Sequence, residues 1–282
     1  MTLAPDPVLL EVSPEGIAVI TLNRPEKRNA FDELMIANLA EHFETLKGAE
    51  HVRAVFIRGA GETFCAGADI DWMRRGGERT QGDNEEDALA LARMLKHLHD
   101  LPQLTVALVH GAAMGGGAGL VAACDVAVAV KDAKFRFSEV RLGLTPATIS
   151  PYVVEAIGPR MARALFATAE GFDGEYAEKI GLVQYSVAAE ADLKTMMEHL
   201  SDLALAAAPG AVADSKALIR HLTDDVTRLR NQVLPAQLAP GHVIDDELLR
   251  ETAHRIAKRR ASTEGREGLA AFLEKRKPEW NS

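Results

Sequence analysis

A glycine-rich stretch, residues 110–119, constrains this chain more than any other part of its sequence. It reads HGAAMGGGAG and runs directly into the apolar, helix-like residues 120–124. Consecutive glycines let a backbone turn tightly and approach a ligand, and the first N–H groups of a helix have no internal partner. The stretch therefore predicts a loop that faces an oxyanion. A phosphate-binding loop is the competing interpretation, but the spacing is neither G-x-G-x-x-G nor that of a Walker loop.

A second segment of strand followed by loop supports the oxyanion interpretation. The strand-like residues 52–58 lead through the turn 59–61 into residues 63–70, TFCAGADI. Two such loops can supply one backbone donor each, and losing one preorganised donor typically costs about 10²- to 10³-fold in rate. Each loop alone could be an ordinary tight turn in an α/β core. The two together favour catalysis.

Four segments, in order, resemble the crotonase (enoyl-CoA hydratase/isomerase) superfamily. They are residues 22–30 (LNRPEKRNA), 64–70 (FCAGADI), 110–119 and 137–144 (FSEVRLGL), and residues 272–280 resemble that family's C-terminal signature. The resemblance implies an α/β fold, with a ββα spiral catalytic domain over residues 1–188. It further implies that residues 189–282 form a helical region for packing and oligomerisation, giving homotrimers or dimers of trimers.

The resemblance also implies roles for individual residues. The N–H groups of Ala68 and Gly116 would hold the thioester oxygen of an acyl-CoA substrate, and Glu139 matches one of two catalytic glutamates of the hydratases. The second glutamate would lie at position 119, where this chain has Gly119. The positions implied to bind substrate are Lys27, Arg28, Ala30, Ala66, Asp69, Ile70, Gly115, Arg141, Phe272 and Lys275. Lys27, Arg28 and Lys275, the last from a neighbouring subunit, would hold phosphates of coenzyme A, although Lys275 also fits a solvated helix face.

A single glutamate limits the chemistry without abolishing it. One carboxylate can take a proton from Cα and return it to a departing hydroxyl on the same face, while an oxyanion hole holds the enolate. Hydration, dehydration and isomerisation all remain open on this basis. A decarboxylase would need no base in its first step, so an essential Glu139 would count against that reading.

Residues 115–121, 138–144 and 149–158 resemble methylglutaconyl-CoA hydratases of leucine breakdown and the isohexenylglutaconyl-CoA hydratases of terpene breakdown, which share the missing glutamate. We therefore expect a lyase for a 3-methylglutaconyl-CoA-like thioester. The alternatives are isohexenylglutaconyl-CoA or another enoyl-CoA as substrate, an isomerase, and an RNA-binding relative without catalysis. Arg141 could bind the distal carboxylate of such a substrate, since an extended segment would place it on the same face as Glu139. An internal ion pair or a surface position is the other interpretation of Arg141.

Composition agrees with a globular enzyme. The chain has 282 residues, 47% of them apolar and 26% charged, and a formal net charge of −9, which disfavours nucleic acid as a partner. Its two cysteines and scattered histidines show no metal-ligand spacing, and the expected chemistry needs no cofactor beyond the coenzyme A that the substrate carries. No apolar run approaches the roughly 20 residues of a membrane span, and no leader is evident, so we expect a cytoplasmic protein.

Apolar periodicity predicts the main elements. Residues 8–12 and 17–22 predict a hairpin and residues 31–47 a helix, and alternation of strands with helices then favours an α/β fold. The later predicted strands are residues 52–58, 104–109, 125–130 and 182–187. Polar residues 73–87 predict a mobile loop before a helix over residues 88–101. Beyond Ala188 only helices are predicted, punctuated by Pro209-Gly210, Pro235 and Pro240-Gly241, and His110 is interpreted as a structural hydrogen-bonding residue rather than a catalytic one.

Overall fold

The computed structural model covers most of the chain. The described residues are 6–207, 209–210, 212–217, 219–220, 249–250, 253–254, 257, 260–261 and 263–276. The predicted breaks at Pro235 and Pro240-Gly241, and residues 277–280 of the C-terminal signature, lie outside them. Among the described residues, none of the helices combines the length and the apolar character that crossing a bilayer requires.

Most strands belong to one central sheet. In chain order the strands are β1 (Val8–Val12), β2 (Ile17–Leu22), β3 (Ala54–Gly59), β4 (Leu104–Val109), β5 (Ala112–Met114), β6 (Val126–Val130), β7 (Lys134–Arg136), β8 (Phe172–Asp173) and β9 (Tyr185–Val187). The central sheet has the order β1-β2-β3-β4-β6-β9, and β5, β7 and β8 form a small second sheet. β1 and β2 pair antiparallel, whereas the later neighbours in the central sheet pair parallel. Helices connect the parallel strands, as their crossovers require.

Helices cover the sheet and continue into the C-terminal region. Those with fully described bounds are α1 (Glu33–Lys47), α2 (Ile70–Glu78), α3 (Gln81–His99), α4 (Gly116–Ala122), α5 (Ser150–Thr168), α6 (Gly174–Lys179), α7 (Glu190–Ala206) and α8 (Thr263–Leu273). Two short 3-10 helices span Pro25–Lys27 and Glu139–Leu142. The expected α/β class is therefore confirmed, and the predicted hairpin and β4 have the bounds that the sequence pattern gave.

The main core lies between the sheet and its helices. α1 illustrates how the sequence builds it, because Asp32 caps the helix by accepting from Met35 N, and the buried residues then recur at helical spacing. These buried residues of α1 are Met35, Ile36, Leu39, Phe43 and Leu46. α7 adds Leu193, Leu200 and Ala204 to the same core, so the first helix of the C-terminal region packs onto the sheet.

The predicted mobile loop over residues 73–87 is wrong, because this segment is almost entirely helical. α2 runs to Glu78 and α3 starts at Gln81. Thr80 and Asp83 form a capping box at the start of α3, and Asn84 donates to the Gly76 carbonyl at 2.8 Å. The polar composition belongs to the exposed faces of two helices, and each helix is started by a cap that the composition alone did not reveal.

Candidate active site

Two loops lie side by side where neighbouring parallel strands end. The loop after β3 leads to Ala68, and the loop after β4 leads through β5 into α4. Cys65 N donates to Ala112 O and Met114 N donates to Cys65 O, each at 3.0 Å. Because the carboxyl ends of parallel strands share one edge of a sheet, the topology itself brings the two loops together.

Gly67 and Phe31 bring the two predicted donors next to each other. Gly67 has φ of +91°, and a Cβ there would lie 2.9 Å from the Met114 carbonyl oxygen. Phe31 pairs with Ala68 as a parallel bridge, and a Cβ on Gly116 would lie 3.1 Å from the Phe31 ring. One aromatic residue thus contacts both loops, the one that carries Ala68 and the one that carries Gly116.

The backbone N–H groups of Ala68 and Gly116 are free to bind a ligand oxygen. Phe31 N donates to Gly67 O at 2.7 Å, and Phe31 O accepts from Asp69 N at 2.8 Å. Neither hydrogen bond of this bridge therefore involves Ala68 N. No hydrogen bond within the described part of the chain uses the Ala68 N–H. Gly116 is the first residue of α4, where an N–H has no acceptor within the helix. Both residues are partly exposed, so a substrate can reach them.

Glu139 presents its carboxyl to the second loop. It begins the 3-10 helix Glu139–Leu142, and a Cβ on Gly115 would lie 3.1 Å from Glu139 Oε1. Gly115 also has φ of +48°, a conformation that side chains disfavour. Its N–H donates at 2.9 Å to the carbonyl of Arg136, at the end of β7 just before Glu139. Gly115 therefore leaves the room that the carboxyl occupies.

Burial sets the acidity of this carboxyl. Glu139 Oε2 is buried and has no hydrogen-bond partner among the described residues. Loss of hydration raises the pKa of Glu139 to about 7 from an ordinary 4.5, and a hydrogen bond from its own backbone opposes this more weakly. A carboxyl that titrates near neutral pH can accept a proton and return it within one reaction.

Position 119 holds no second carboxylate and has no space for one. Gly119 is buried in α4, and a Cβ there would lie 2.2 Å from Ile149 Cγ2 and 2.7 Å from Ile149 Cβ. Ile149, just before α5, therefore fills the volume where a larger residue 119 would extend. An apolar side chain therefore takes the space of the glutamate that the resemblance implies at position 119.

The predicted substrate-binding residues of the first motif and the first loop surround Ala68. Ala66 N donates to the Arg28 carbonyl at 2.9 Å, and Ala30 is buried beside them. Asp69 caps α2 by accepting from Asp71 N and Trp72 N, and Ile70 is exposed at the start of that helix. Lys27 and Arg28 are exposed, with Lys27 Nζ 3.2 Å from Asp71 Oδ2.

The C-terminal candidates, Phe272 and Lys275, belong to a segment that packs beside the Glu139 region. α8 packs on α2 and on the 3-10 helix of Glu139, and a Cβ on Gly268 would lie 2.1 Å from the Leu142 carbonyl oxygen. Phe272 is exposed in the last turn of α8, and Lys275 is exposed in the turn that follows the helix. The role of Lys275 toward a neighbouring subunit stays a prediction.

The expected extended segment at Arg141 is wrong. The 3-10 helix Glu139–Leu142 has about three residues per turn, so residues 139 and 141 do not share a face as they would in a strand. Arg141 is exposed, and its side chain makes no ion pair or hydrogen bond within the described residues. The internal ion pair considered as its alternative is therefore absent from that part of the chain.

Two polar residues of the first motif, Arg24 and Asn29, were not singled out by sequence reasoning. Asn29 is fully buried and donates to the carbonyls of Ala60 and Thr63, at 2.9 and 2.7 Å. Arg24 reaches Asp69, the residue after Ala68. The signal available in the sequence was the presence of these two polar residues in a motif that otherwise resembles a turn. His110 contacts the Gly61 carbonyl through Nε2 at 2.8 Å, in agreement with a structural role.

This arrangement can bind an oxyanion between two backbone donors and transfer a proton through a nearby carboxyl. Together with the mixed sheet it defines a class of α/β enzyme that stabilises enolate-like charge. Comparison with known proteins identifies the class further.

Residues 13–282 match the family described as Enoyl-CoA hydratase/isomerase. Enoyl-CoA hydratase AFT6-1 of Alternaria alternata is 34% identical over 229 residues, which cover 80% of this chain and 75% of that protein. The crystal structure of an enoyl-CoA hydratase from Shewanella pealeana is 38% identical, with a TM-score of 0.75, and the match covers 97% of this chain and 96% of that one. Pseudomonas aeruginosa AtuE is 37% identical, with a TM-score of 0.74 and coverage of 98% and 100%. The chain belongs to the enoyl-CoA hydratase/isomerase family, and its function is of the enoyl-CoA hydratase type.

Proposed function

We propose that this protein is a single-glutamate hydratase that adds water to, and removes it from, a 3-methylglutaconyl-CoA-like thioester. The observation that carries this proposal is the Glu139 carboxyl, whose Oε2 is buried and has no partner within the described residues, beside the N–H groups of Ala68 and Gly116, which make no hydrogen bond there. Ile149 occupies the space beside Gly119, so position 119 cannot supply a second catalytic carboxylate that shares the proton transfers.

One carboxylate performs both proton transfers in this proposal. In hydration, Glu139 takes a proton from water as the oxygen bonds to C3, and the electron pair of the double bond moves to the thioester oxygen. Ala68 N–H and Gly116 N–H stabilise the resulting enolate. Protonated Glu139 then gives its proton to Cα on the same face, and the carboxylate is regenerated. Dehydration is the reverse, so both directions begin with an ionised Glu139.

Substrate selection follows from charge around the site. Lys27, Arg28 and Lys275 are proposed to hold the phosphates of coenzyme A, since all three are exposed cations. Arg141 is proposed to bind the distal carboxylate of the acyl group, and its exposed, unpaired guanidinium within the described residues supports this. A homotrimer or a dimer of trimers in the cytoplasm remains part of the proposal.

The test compares turnover of 3-methylglutaconyl-CoA and crotonyl-CoA, followed by absorbance of the conjugated thioester. We expect Glu139→Gln to lower kcat by at least about 10²-fold, since general acid–base catalysis contributes about 10²- to 10⁴-fold. Glu175→Gln is the matched control, because Glu175 is exposed in α6 away from both loops. Arg141→Ala should lower kcat/KM for the carboxylated thioester but not for crotonyl-CoA.

Three outcomes would contradict parts of this proposal. Wild-type turnover of neither thioester would contradict hydration of this substrate class. Unchanged turnover by Glu139→Gln would remove Glu139 from the reaction. Equal losses of kcat/KM on both thioesters in Arg141→Ala would show that Arg141 does not bind the distal carboxylate.

A further inference from the structure

Arg24 lies at the centre of a polar network between the first motif and the first donor loop. Its Nη1 donates to the Ala30 carbonyl at 2.8 Å and lies 2.8 Å from Asp32 Oδ2. Its Nη2 lies 3.1 Å from Asp69 Oδ2. The Arg24 side chain is 17% exposed and that of Asp69 is 5% exposed, so the second ion pair is largely shielded from water. Desolvation makes such a pair strongly sensitive to the removal of one partner.

Asp69 connects this network to the oxyanion donor. Its Oδ1 accepts from Asp71 N at 2.8 Å and from Trp72 N at 3.3 Å, while Oδ2 faces Arg24. Its backbone N–H donates to Phe31 O at 2.8 Å. Both the side chain and the backbone N–H of Asp69 are therefore fixed. The Ala68 N–H belongs to the Gly67–Ala68 peptide, whose carbonyl accepts from Phe31 N at 2.7 Å, so the two hydrogen bonds between Phe31 and this segment set the direction of the Ala68 N–H.

The backbone around Arg24 is also held in a conformation that needs support. Arg28 and Asn29 have φ of +52° and +55°, in the left-handed region that side chains disfavour. Arg24 N donates to Asn29 Oδ1 at 2.9 Å, which closes this turn over the Arg24 side chain. Ala66 N then donates to the Arg28 carbonyl at 2.9 Å, so the turn is bonded directly to the donor loop. Strain of this kind persists where surrounding contacts over-determine it.

We propose that Arg24 is a positioning residue that aims the Ala68 N–H at the substrate oxygen by bridging Asp69 and Asp32. This inference rests on the proposed function only in taking Ala68 as an oxyanion donor. Arg24 does not touch the reacting atoms, and its effect passes through Asp69 and the two hydrogen bonds by which Phe31 holds the Ala68 segment. A misaimed donor weakens binding of the developing oxyanion more than binding of the neutral thioester, so kcat should fall more than KM rises.

The chain offers a matched control for this ion pair. Arg75 of α2 lies 2.7 Å from Glu33 Oε2 at the start of α1, and so it also ties α2 to the segment after the first motif. Arg75 and Glu33 are 48% and 42% exposed, and within the described residues neither side chain forms a hydrogen bond or an ion pair with Asp69. Arg75→Met therefore removes an ion pair between the same two regions without breaking a hydrogen bond or an ion pair of Asp69.

The experiment uses Arg24→Lys, Arg24→Met and Arg75→Met in the full-length protein. Lysine keeps the charge but cannot bridge both carboxylates in the planar geometry of a guanidinium. We expect Arg24→Lys to fold, and to lower kcat on the thioester that the wild type turns over by about 10- to 10²-fold with KM changed by less than about 3-fold. Arg75→Met should leave both constants unchanged. Circular dichroism checks folding, and Arg24→Met, if it folds, should show a loss at least as large.

A second readout is independent of turnover. Butyryl-CoA labelled with ¹³C at the carbonyl binds without reacting, and hydrogen bonds to its oxygen lower the carbonyl stretching frequency. The wild type and Arg75→Met should show this lowering, and Arg24→Lys should show a smaller one. A folded Arg24→Lys with the wild-type frequency and kcat would overturn the positioning role. A wild type that lowers the frequency but hydrates no enoyl thioester would contradict the proposed function alone.

Discussion

The loop around Ala68 is held in place mainly by polar side chains, with Gly67 as its one close backbone approach to Met114, whereas the loop around Gly116 depends on the absence of side chains at several positions. On the Ala68 side, Arg24, Asn29 and Asp69 bind backbone and one another through hydrogen bonds and ion pairs. On the Gly116 side, Gly115 and Gly117 let backbone and carboxyl approach at distances that a methyl group would prevent. The two donors of one site are therefore built by opposite physical means.

This difference predicts how substitutions in each loop lower the activity. A polar network weakens step by step, because a substituted side chain can keep part of its hydrogen bonding. A close approach that depends on a glycine has no such partial loss, because any larger residue at that position must displace the backbone. Substitutions on the glycine side should therefore have the larger and more abrupt effects.

The two carboxyls of the site show the same contrast. Asp69 accepts two backbone hydrogen bonds and faces Arg24, so its charge is fully compensated. Glu139 packs beside Gly115 with Oε2 unpartnered in the described structure, and burial raises its pKa to about 7. The compensated carboxyl serves structure, and the uncompensated one is able to move a proton.

The largest effect is expected for Gly117→Ala. Its Cβ would lie 2.7 Å from the Cys65 carbonyl oxygen and 2.8 Å from Cys65 Cβ, so α4 would have to move away from the first loop. Because Gly116 precedes it in the first turn of α4, we expect kcat to fall by about 10²- to 10³-fold, as for the loss of one oxyanion donor. Turnover and circular dichroism are measured together.

Cys65→Gly sharpens this prediction, since it removes the Cβ contact but leaves the carbonyl in place. Adding Cys65→Gly to Gly117→Ala should not restore kcat, because the closest contact of the new Cβ is with the carbonyl oxygen of residue 65. A folded Gly117→Ala with wild-type kcat, or full restoration by Cys65→Gly, would show that the glycine loop is not limited by backbone contact.

The next effect concerns Gly119 and Ile149, where the obstructing atoms belong to a side chain. Gly119→Ala should destabilise the protein by about 1–3 kcal/mol through overpacking, and Ile149→Gly by about 2–5 kcal/mol through a cavity. The double variant should lose less than the sum, because each change accommodates the other. Denaturant unfolding of the four proteins measures this coupling, and strictly additive losses would contradict the contact.

The third effect is the pH dependence of stability that Glu139 contributes. The pKa of Glu139 is raised in the folded protein, so its neutral form stabilises the fold, and this contribution is lost as pH rises from about 4.5 to about 7. Relative to about pH 4, the wild type should therefore lose up to roughly 3 kcal/mol more than Glu139→Gln by about pH 8. Unfolding free energies across this range measure the difference, with Glu175→Gln as control. Parallel curves for wild type and Glu139→Gln would show that Glu139 is not desolvated.

Much of the architecture could be predicted from local pattern. The hairpin, β4 and the helix α1 follow from apolar periodicity and turn residues, since these signals lie within a few residues of one another. The short strands β5, β7 and β8 were not predicted, because strands of two or three residues carry too little pattern. Residues 73–87 were assigned wrongly because the cap of α3, Thr80 with Asp83, was hidden in a polar segment and the cap of α2, Asp69, lies before it.

The sequence by itself determined the donor loops, the family resemblance and the candidate carboxyl, because glycines and Glu139 occur in ordered motifs that can be compared residue by residue. Only the tertiary structure decided that Ile149 fills the space beside Gly119 and that Arg24 reaches Asp69. It also decided that the Glu139 carboxyl is buried beside Gly115, which raises its pKa to about 7. These properties depend on contacts between residues far apart in the chain, and a pKa depends on the water that such contacts exclude.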